Sequence, residues 1–138
     1  MRVLHFDIVS GIAGDMTLGA LIHLGAPIEP LREALSAMGL GGVEVGSAKV
    51  SAGGIGAVRF EVGFESSDHE HRTWTEIRRL LDRAGLPDGA RARAEDIFER
   101  LARAESTVHG QPPEEVCFHE VGAVDSIADI TGCALALD

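Results

Sequence analysis

Residues 4–16 read Leu-His-Phe-Asp-Ile-Val-Ser-Gly-Ile-Ala-Gly-Asp-Met, and this stretch decides the predicted fold. Apolar and polar residues alternate over positions 2–8, which is typical of a strand, and a helix is predicted directly after the turn. The glycines of the turn allow backbone angles that other residues resist, so backbone amides can converge on a ligand there. The first turn of the helix adds unpaired N–H groups and the positive end of the helix dipole, which together favour an anion.

This turn predicts a binding site for a phosphate-bearing ligand and its metal ion. The predicted cofactor-binding residues are those of the turn and its flanks: Asp7, Ser10, Gly11, Gly14 and Asp15. The two carboxylates would hold a cation beside the phosphate. A second interpretation stays open, in which Ser10 and Asp15 only cap the helix, because the turn is neither a Walker A loop nor a GxGxxG loop.

Composition narrows the class of partner. The chain has 138 residues, enough for one domain with its own core, and a formal net charge of −10. This charge argues against nucleic acid or an anionic membrane surface as the main partner, because both require a basic face. The two cysteines do not suggest a disulfide framework, and no apolar run approaches the roughly 20 residues that span a bilayer. Without a signal-peptide pattern, the predicted location is the cytoplasm.

The chain as a whole predicts an α+β fold, a small mixed sheet covered by helices in the order β-α-α-β-β-α-α-(β)-α. Strands are predicted over 2–8, 43–50 and 55–64, with a short extended piece over 115–120. The second and third of these strands are predicted to form a hairpin, with residues 51–54 as its turn. Helices are predicted over 15–24, from Pro30, from a Thr73–Glu76 capping box, over 88–108 and from near Gly122. The first helix is apolar nearly all round, which predicts burial. We expect residues 1–138 to be the single N-terminal domain of a longer protein, because the last helical pattern ends without a cap.

Two pairs of side chains have the spacing of metal ligands. His69 and His71 lie in a polar loop, and Cys117 and His119 lie in the short extended piece. In an extended chain, residues two apart point the same way, so each pair can chelate one ion. Imidazole and thiolate suit transition metals, nickel among them. Other interpretations stay open: a solvated polar loop for the histidines, and a small buried residue for Cys117.

Asp125 and Asp129 complete the predicted metal ligands. They lie four residues apart on the final predicted helix and therefore share one face. Like charges at this spacing destabilise a helix by a few tenths of a kcal/mol, unless water or a cation offsets them. The sequence does not decide between a solvated pair and a functional pair.

Two blocks of sequence resemble a known family. They are Phe6-Asp7-x-x-Ser10-Gly11-Ile12-Ala13-Gly14-Asp15-Met16 and Phe118-His119-Glu120-Val121-Gly122-Ala123-Val124-Asp125-Ser126-Ile127-Ala128-Asp129-Ile130. The chain is similar to the nickel insertion proteins that complete the nickel-pincer nucleotide cofactor of lactate racemase. It departs from the usual family pattern at Ile8, where the family carries Cys, at the loop histidines, which are fewer, and at Cys117, where the family carries His.

The resemblance implies a lyase-class enzyme that places nickel into pyridinium-3,5-bisthiocarboxylic acid mononucleotide and consumes CTP with a divalent cation. It further implies that CTP binds mainly to a C-terminal part beyond this chain. Alternatives stay open: a non-catalytic domain for metal delivery or oligomerisation, or a nucleotide hydrolase. Whether the chain forms a homo-oligomer is not decided by the sequence.

Overall fold

The computed structural model describes residues 3–8, 10–40, 42–64, 71–118 and 123–138. In chain order, the elements are α1 (Gly14–His23), α2 (Glu29–Ala37), β1 (Val43–Ala52), β2 (Ile55–Phe64), β3 (Arg72–Thr73), α3 (Trp74–Arg83), α4 (Asp88–His109), a 3-10 turn (Pro113–Glu115), β4 (Cys117–Phe118) and α5 (Val124–Ala136). The predicted α+β class is confirmed. None of the helices in these ranges has both the length and the apolar character to cross a bilayer.

The sheet content consists of two antiparallel pairs. β1 and β2 form a hairpin from Val43 opposite Phe64 to Ala52 opposite Ile55. Its turn, Gly53-Gly54, has positive φ at both residues, which suits the tight turns that follow the twist of a hairpin. β3 and β4 form a second, shorter ribbon. Within the described ranges, the predicted single mixed sheet is therefore wrong, whereas the predicted hairpin is confirmed.

The predicted first strand is not formed. Residues 3–8 pair with no strand of the described chain, and their apolar side chains are largely exposed, Val3 at 76% and Ile8 at 51%.

The predicted burial of α1 is only half correct. Leu18 and Leu21 are buried, but Met16 and Leu24 face solvent, because α1 packs on its neighbours through one side only.

The core lies between the hairpin and the helices. α1 crosses β2 so closely that an added Cβ on Gly19 would lie 2.5 Å from the backbone oxygen of Val58. α1 also packs on α5, where Gly132 accepts the Leu18 side chain. On the other side, the rings of Trp74, Phe98 and Phe118 form one cluster that joins α3, α4 and β4. The short ribbon is thereby fixed to the helical core.

Candidate functional site

The β3–β4 ribbon presents two of the predicted nickel donors on its outer face. Arg72 pairs with Phe118 and both are buried, whereas Thr73 pairs with Cys117 and both are half-buried. Because alternate residues of an extended chain share a face, His71 falls on the same outer side as Thr73. His71 is exposed and Cys117 is partly exposed, so a metal ion can reach either side chain from the solvent.

His69 and His119, the other two predicted nickel donors, lie outside the described residues. Within those residues, no group of three or more His, Cys, Asp and Glu side chains is arranged to hold a metal ion. The four-donor nickel site therefore stays a prediction, of which the structure brings His71 and Cys117 to one ribbon.

The ribbon continues directly into a well-capped helix. Thr73 is the N-cap of α3: its hydroxyl accepts from the Glu76 amide at 3.3 Å, and Glu76 Oε2 accepts from the Thr73 amide at 2.7 Å. The Thr73 amide first, and then the Thr73 hydroxyl, which donates to the same oxygen at 2.9 Å, hold the pKa of Glu76 below its usual range. The Trp74 amide also donates to the Val116 carbonyl at 3.3 Å. The predicted capping box is thus confirmed, and it fixes the backbone beside Cys117.

A second group of predicted site residues meets where α1 begins against α5. Asp129 lies so close to Gly14 that an added Cβ would be 2.7 Å from its Oδ2, and the backbone amide of Asp15 donates to its carboxylate. Asp7, Ser10 and Gly11 lie in the exposed segment before α1, with Gly11 at φ +97°. The N-cap of α1 is Ala13, so Ser10 is not its cap.

Negative charge dominates this end of α1. Burial first, and then the charges of Asp15 and Asp125, raise the pKa of Asp129 to about 6. Three carboxylates here would repel a phosphate, and one of them already accepts an amide of the helix N-terminus. The arrangement can take up a proton near neutral pH or attract a cation.

Cys133 lies beside this acidic group but keeps its proton. Its thiol donates to the Gly14 carbonyl at 3.6 Å. Burial and the charge of Asp129 raise the pKa of Cys133 to about 11, so it is a thiol at neutral pH. Since metals bind the thiolate, Cys133 is a packing residue.

Replacing Asp129 with asparagine is expected to stabilise the fold at pH 7.5. A carboxyl whose pKa is raised from 3.8 to about 6 by folding destabilises the folded state when ionised, so stability falls as the pH rises through this window. The whole shift corresponds to about 3 kcal/mol, and partial exposure reduces this to about 1 kcal/mol. Urea unfolding of both proteins at pH 4 and pH 7.5 measures it.

Most of the gain from Asp129→Asn should be lost at pH 4, because the folded-state carboxyl is then protonated and the unfolded-state carboxyl, with a pKa of 3.8, is only partly ionised. Asp88→Asn makes the same chemical change in the exposed first turn of α4 and serves as control. A gain of equal size at both pH values, or one shared by the control, would contradict the assigned origin of the effect.

Sequence reasoning did not single out a set of basic residues next to the ribbon. A groove of about 470 Å³ runs along α3, and its lining consists of His71, Arg72, Glu76, Arg79, Leu80 and Arg83. Helical spacing could have identified these residues. Arg79 and Arg83 are four apart, on the side of α3 that faces away from the buried Trp74, Ile77 and Leu81. In a chain with a net charge of −10, such a row is unusual.

Comparison with known proteins gives one consistent family. The profile of the family described as nickel insertion protein matches residues 4–138. No solved structure shows significant similarity to the chain.

Curated relatives match across nearly the whole chain. A Geobacter sp. (strain M21) protein named for nickel insertion is 47% identical over 138 residues, which is 100% of this chain and 36% of that protein. A Nocardioides sp. (strain ATCC BAA-499 / JS614) protein is 46% identical over 126 residues, which is 91% of this chain and 32% of that protein. Its name is pyridinium-3,5-bisthiocarboxylic acid mononucleotide nickel insertion protein. The chain therefore spans about a third of the length of these relatives.

Proposed function

Since this chain belongs to the nickel insertion protein family, we propose that it is part of an enzyme that places nickel into pyridinium-3,5-bisthiocarboxylic acid mononucleotide. The product is the nickel-pincer nucleotide cofactor, which contains metal–carbon and metal–sulfur bonds. Nickel is a substrate of this reaction. We take this chain to be a cytoplasmic N-terminal domain. We assign the binding of CTP and its divalent cation mainly to the part of the longer relatives that lies beyond it.

The observation that carries the proposal is the pairing of β3 with β4. It pairs Thr73 with Cys117, and His71, which is far from Cys117 in sequence, directly precedes β3 at this ribbon. One imidazole nitrogen and one thiolate sulfur form a donor set that suits nickel, and the thiolate binds only after losing its proton. The capping box at Thr73 fixes the backbone of the residue that follows Arg72 and pairs with Cys117. A fixed backbone favours a constant geometry of the donors.

The other sequence-based roles stay predictions within this proposal. We propose that His69 and His71 capture nickel and pass it to Cys117 and His119. Asp125 and Asp129 would support the second site, that of Cys117 and His119. Ser10, Gly11, Gly14 and Asp15, with Asp7 alongside, would contact a phosphate or its magnesium ion.

Calorimetric titration of the 138-residue chain with nickel tests the ribbon site. We expect binding with a Kd of about 1 µM or tighter, weakened at least about tenfold in the His71→Ala/Cys117→Ala variant, because both described donors are removed. His109→Ala/Cys133→Ala is the matched control, since it removes the same two residue types elsewhere and should bind nickel as the unchanged chain does.

Two results would refute the ribbon site. One is an unchanged nickel affinity in the His71→Ala/Cys117→Ala variant, and the other is a loss of equal size in the control. A domain that only delivers metal would still bind nickel at the ribbon, but would have no need to bind the mononucleotide. Binding of the mononucleotide therefore distinguishes a domain that takes part in nickel insertion from one that only delivers the metal.

A further inference from the structure

We propose that the groove beside Arg79 and Arg83 of α3 binds the phosphate group of the mononucleotide substrate. This inference rests on the proposed function and names the part of the chain that would hold the organic substrate. The ligand class is a phosphate monoester on a nucleoside whose base is a pyridinium ring.

The groove concentrates positive charge on one side of α3. Its described lining includes the guanidinium groups of Arg79 and Arg83, the buried Arg72 and one carboxylate, that of Glu76. Arg79 and Arg83 are four apart on α3, where like charges lie about 5–6 Å apart at Cβ and repel each other. Along the ranges that the structure describes, neither forms a hydrogen bond or an ion pair. An anion bound between them would remove the repulsion.

Glu76 does not supply that anion. Its Oε2 accepts from both the amide and the hydroxyl of Thr73, at 2.7 and 2.9 Å, so the carboxylate is held at the helix N-terminus. The positive charges of Arg79 and Arg72 act on it at longer range. The net charge of the lining is therefore positive, with guanidinium groups that match a phosphate in geometry and can bind it by paired hydrogen bonds.

This groove suits a phosphate better than the turn before α1 does. At that turn, the Asp129 carboxylate already accepts the Asp15 amide and the neighbouring carboxylates repel anions. The groove instead has the opposite sign of charge and an open volume of about 470 Å³. The observations thus favour the arginines as the phosphate site.

The groove also adjoins the predicted nickel donors. His71 lines the groove and lies on the outer face of the ribbon that carries Cys117. A nucleotide whose phosphate is held by the arginines would therefore have its ring on the side of these donors. Binding the phosphate at one end would restrict where the ring can lie, which favours transfer of the metal to it.

Calorimetric titration with pyridinium-3-carboxylic acid mononucleotide tests the assignment. We expect the 138-residue chain to bind it, and Arg79→Gln/Arg83→Gln to weaken binding at least about tenfold, because two charge-assisted contacts are lost. The dephosphorylated nucleoside should bind at least about tenfold more weakly than the nucleotide, and raising the salt concentration should weaken nucleotide binding. Arg100→Gln/Arg103→Gln removes two charges from exposed arginines of α4 and is the matched control.

Several outcomes would overturn the phosphate site. The first is a nucleotide affinity that does not change in Arg79→Gln/Arg83→Gln. The second is an equal loss of nucleotide affinity in the control Arg100→Gln/Arg103→Gln. The third is an equal affinity of the chain for the nucleoside and the nucleotide. If the chain bound CTP more tightly than the mononucleotide, and Arg79→Gln/Arg83→Gln lost the binding of CTP, the groove would not be a site for this substrate. Arg79→Lys/Arg83→Lys, which keeps the charges, should bind more tightly than the glutamine variant and guards against a folding defect.

The nickel titration separates this inference from the proposed function. Arg79→Gln/Arg83→Gln should bind nickel as the unchanged chain does, because His71 and Cys117 are intact. Nickel binding without nucleotide binding would overturn the groove and leave the ribbon site standing. Nucleotide binding without nickel binding would leave the groove standing and overturn the ribbon site.

Discussion

Replacing Phe98 with alanine is expected to lower the free energy of unfolding by about 3–5 kcal/mol. The Phe98 side chain is fully buried, with its ring centroid 6.1 Å from that of Trp74 and 6.4 Å from that of Phe118. Removing the ring leaves a cavity between two rings that cannot close it without moving α3 or β4. Urea unfolding followed by circular dichroism measures the loss.

The control for Phe98 is its replacement by leucine, which keeps most of the volume. Phe98→Leu should cost less than about 1.5 kcal/mol. If Phe98→Ala cost no more than Phe98→Leu, the aromatic cluster would not be a main source of stability. Trp74 begins α3 and Phe118 belongs to β4, so this cluster also sets where the ribbon with His71 and Cys117 lies.

Local signals were enough to predict most of the helices. Thr73 and Glu76 predicted where α3 begins because a capping box involves only residues three apart, and the structure contains both of its hydrogen bonds. Helical spacing alone predicts that this helix buries Trp74, Ile77, Leu80 and Leu81. The structure buries three of them and leaves Leu80 partly buried. The hairpin was predictable for the same reason, since its glycine turn determines how β1 and β2 pair.

Long-range pairing was not predictable from local patterns. Alternation over residues 2–8 shows which face of a strand would be apolar, but it says nothing about a partner, and residues 3–8 have none in the described chain. β3 and β4 have two residues each, too few to show a period. The convergence of His71 and Cys117 therefore became visible only in the structure.

The meeting of Asp15, Asp125 and Asp129 at the start of α1 was also not predictable from local patterns, although two glycines indicated close helix packing. A glycine inside a helix costs about 1 kcal/mol relative to alanine, so it suggests close packing. Gly14 accommodates Asp129 and Gly132 accommodates Leu18, which is how α1 and α5 approach. The ligand role of Gly14 stays a prediction, and in the structure Gly14 makes room for a carboxylate of the same chain.

Replacing Gly19 with alanine is expected to lower the free energy of unfolding by about 2 kcal/mol. The new Cβ would lie 2.5 Å from the Val58 oxygen and 3.5 Å from the Phe60 nitrogen, both backbone atoms of β2, so α1 must move away from the hairpin. Overpacking of this kind costs up to about 3 kcal/mol. The better helix propensity of alanine returns about 1 kcal/mol.

Gly46→Ala is the matched control for Gly19→Ala, because an added Cβ on Gly46 meets nothing within 4 Å and its backbone has no positive φ. Urea unfolding should show a change of less than about 0.5 kcal/mol for Gly46→Ala. Equal stability of Gly19→Ala and the unchanged chain would mean that α1 does not rest on β2 through backbone contact. Because α1 also places Gly14 against Asp129, displacing the helix should loosen the acidic group as well, so the fall in stability between pH 4 and pH 7.5 should become smaller in Gly19→Ala.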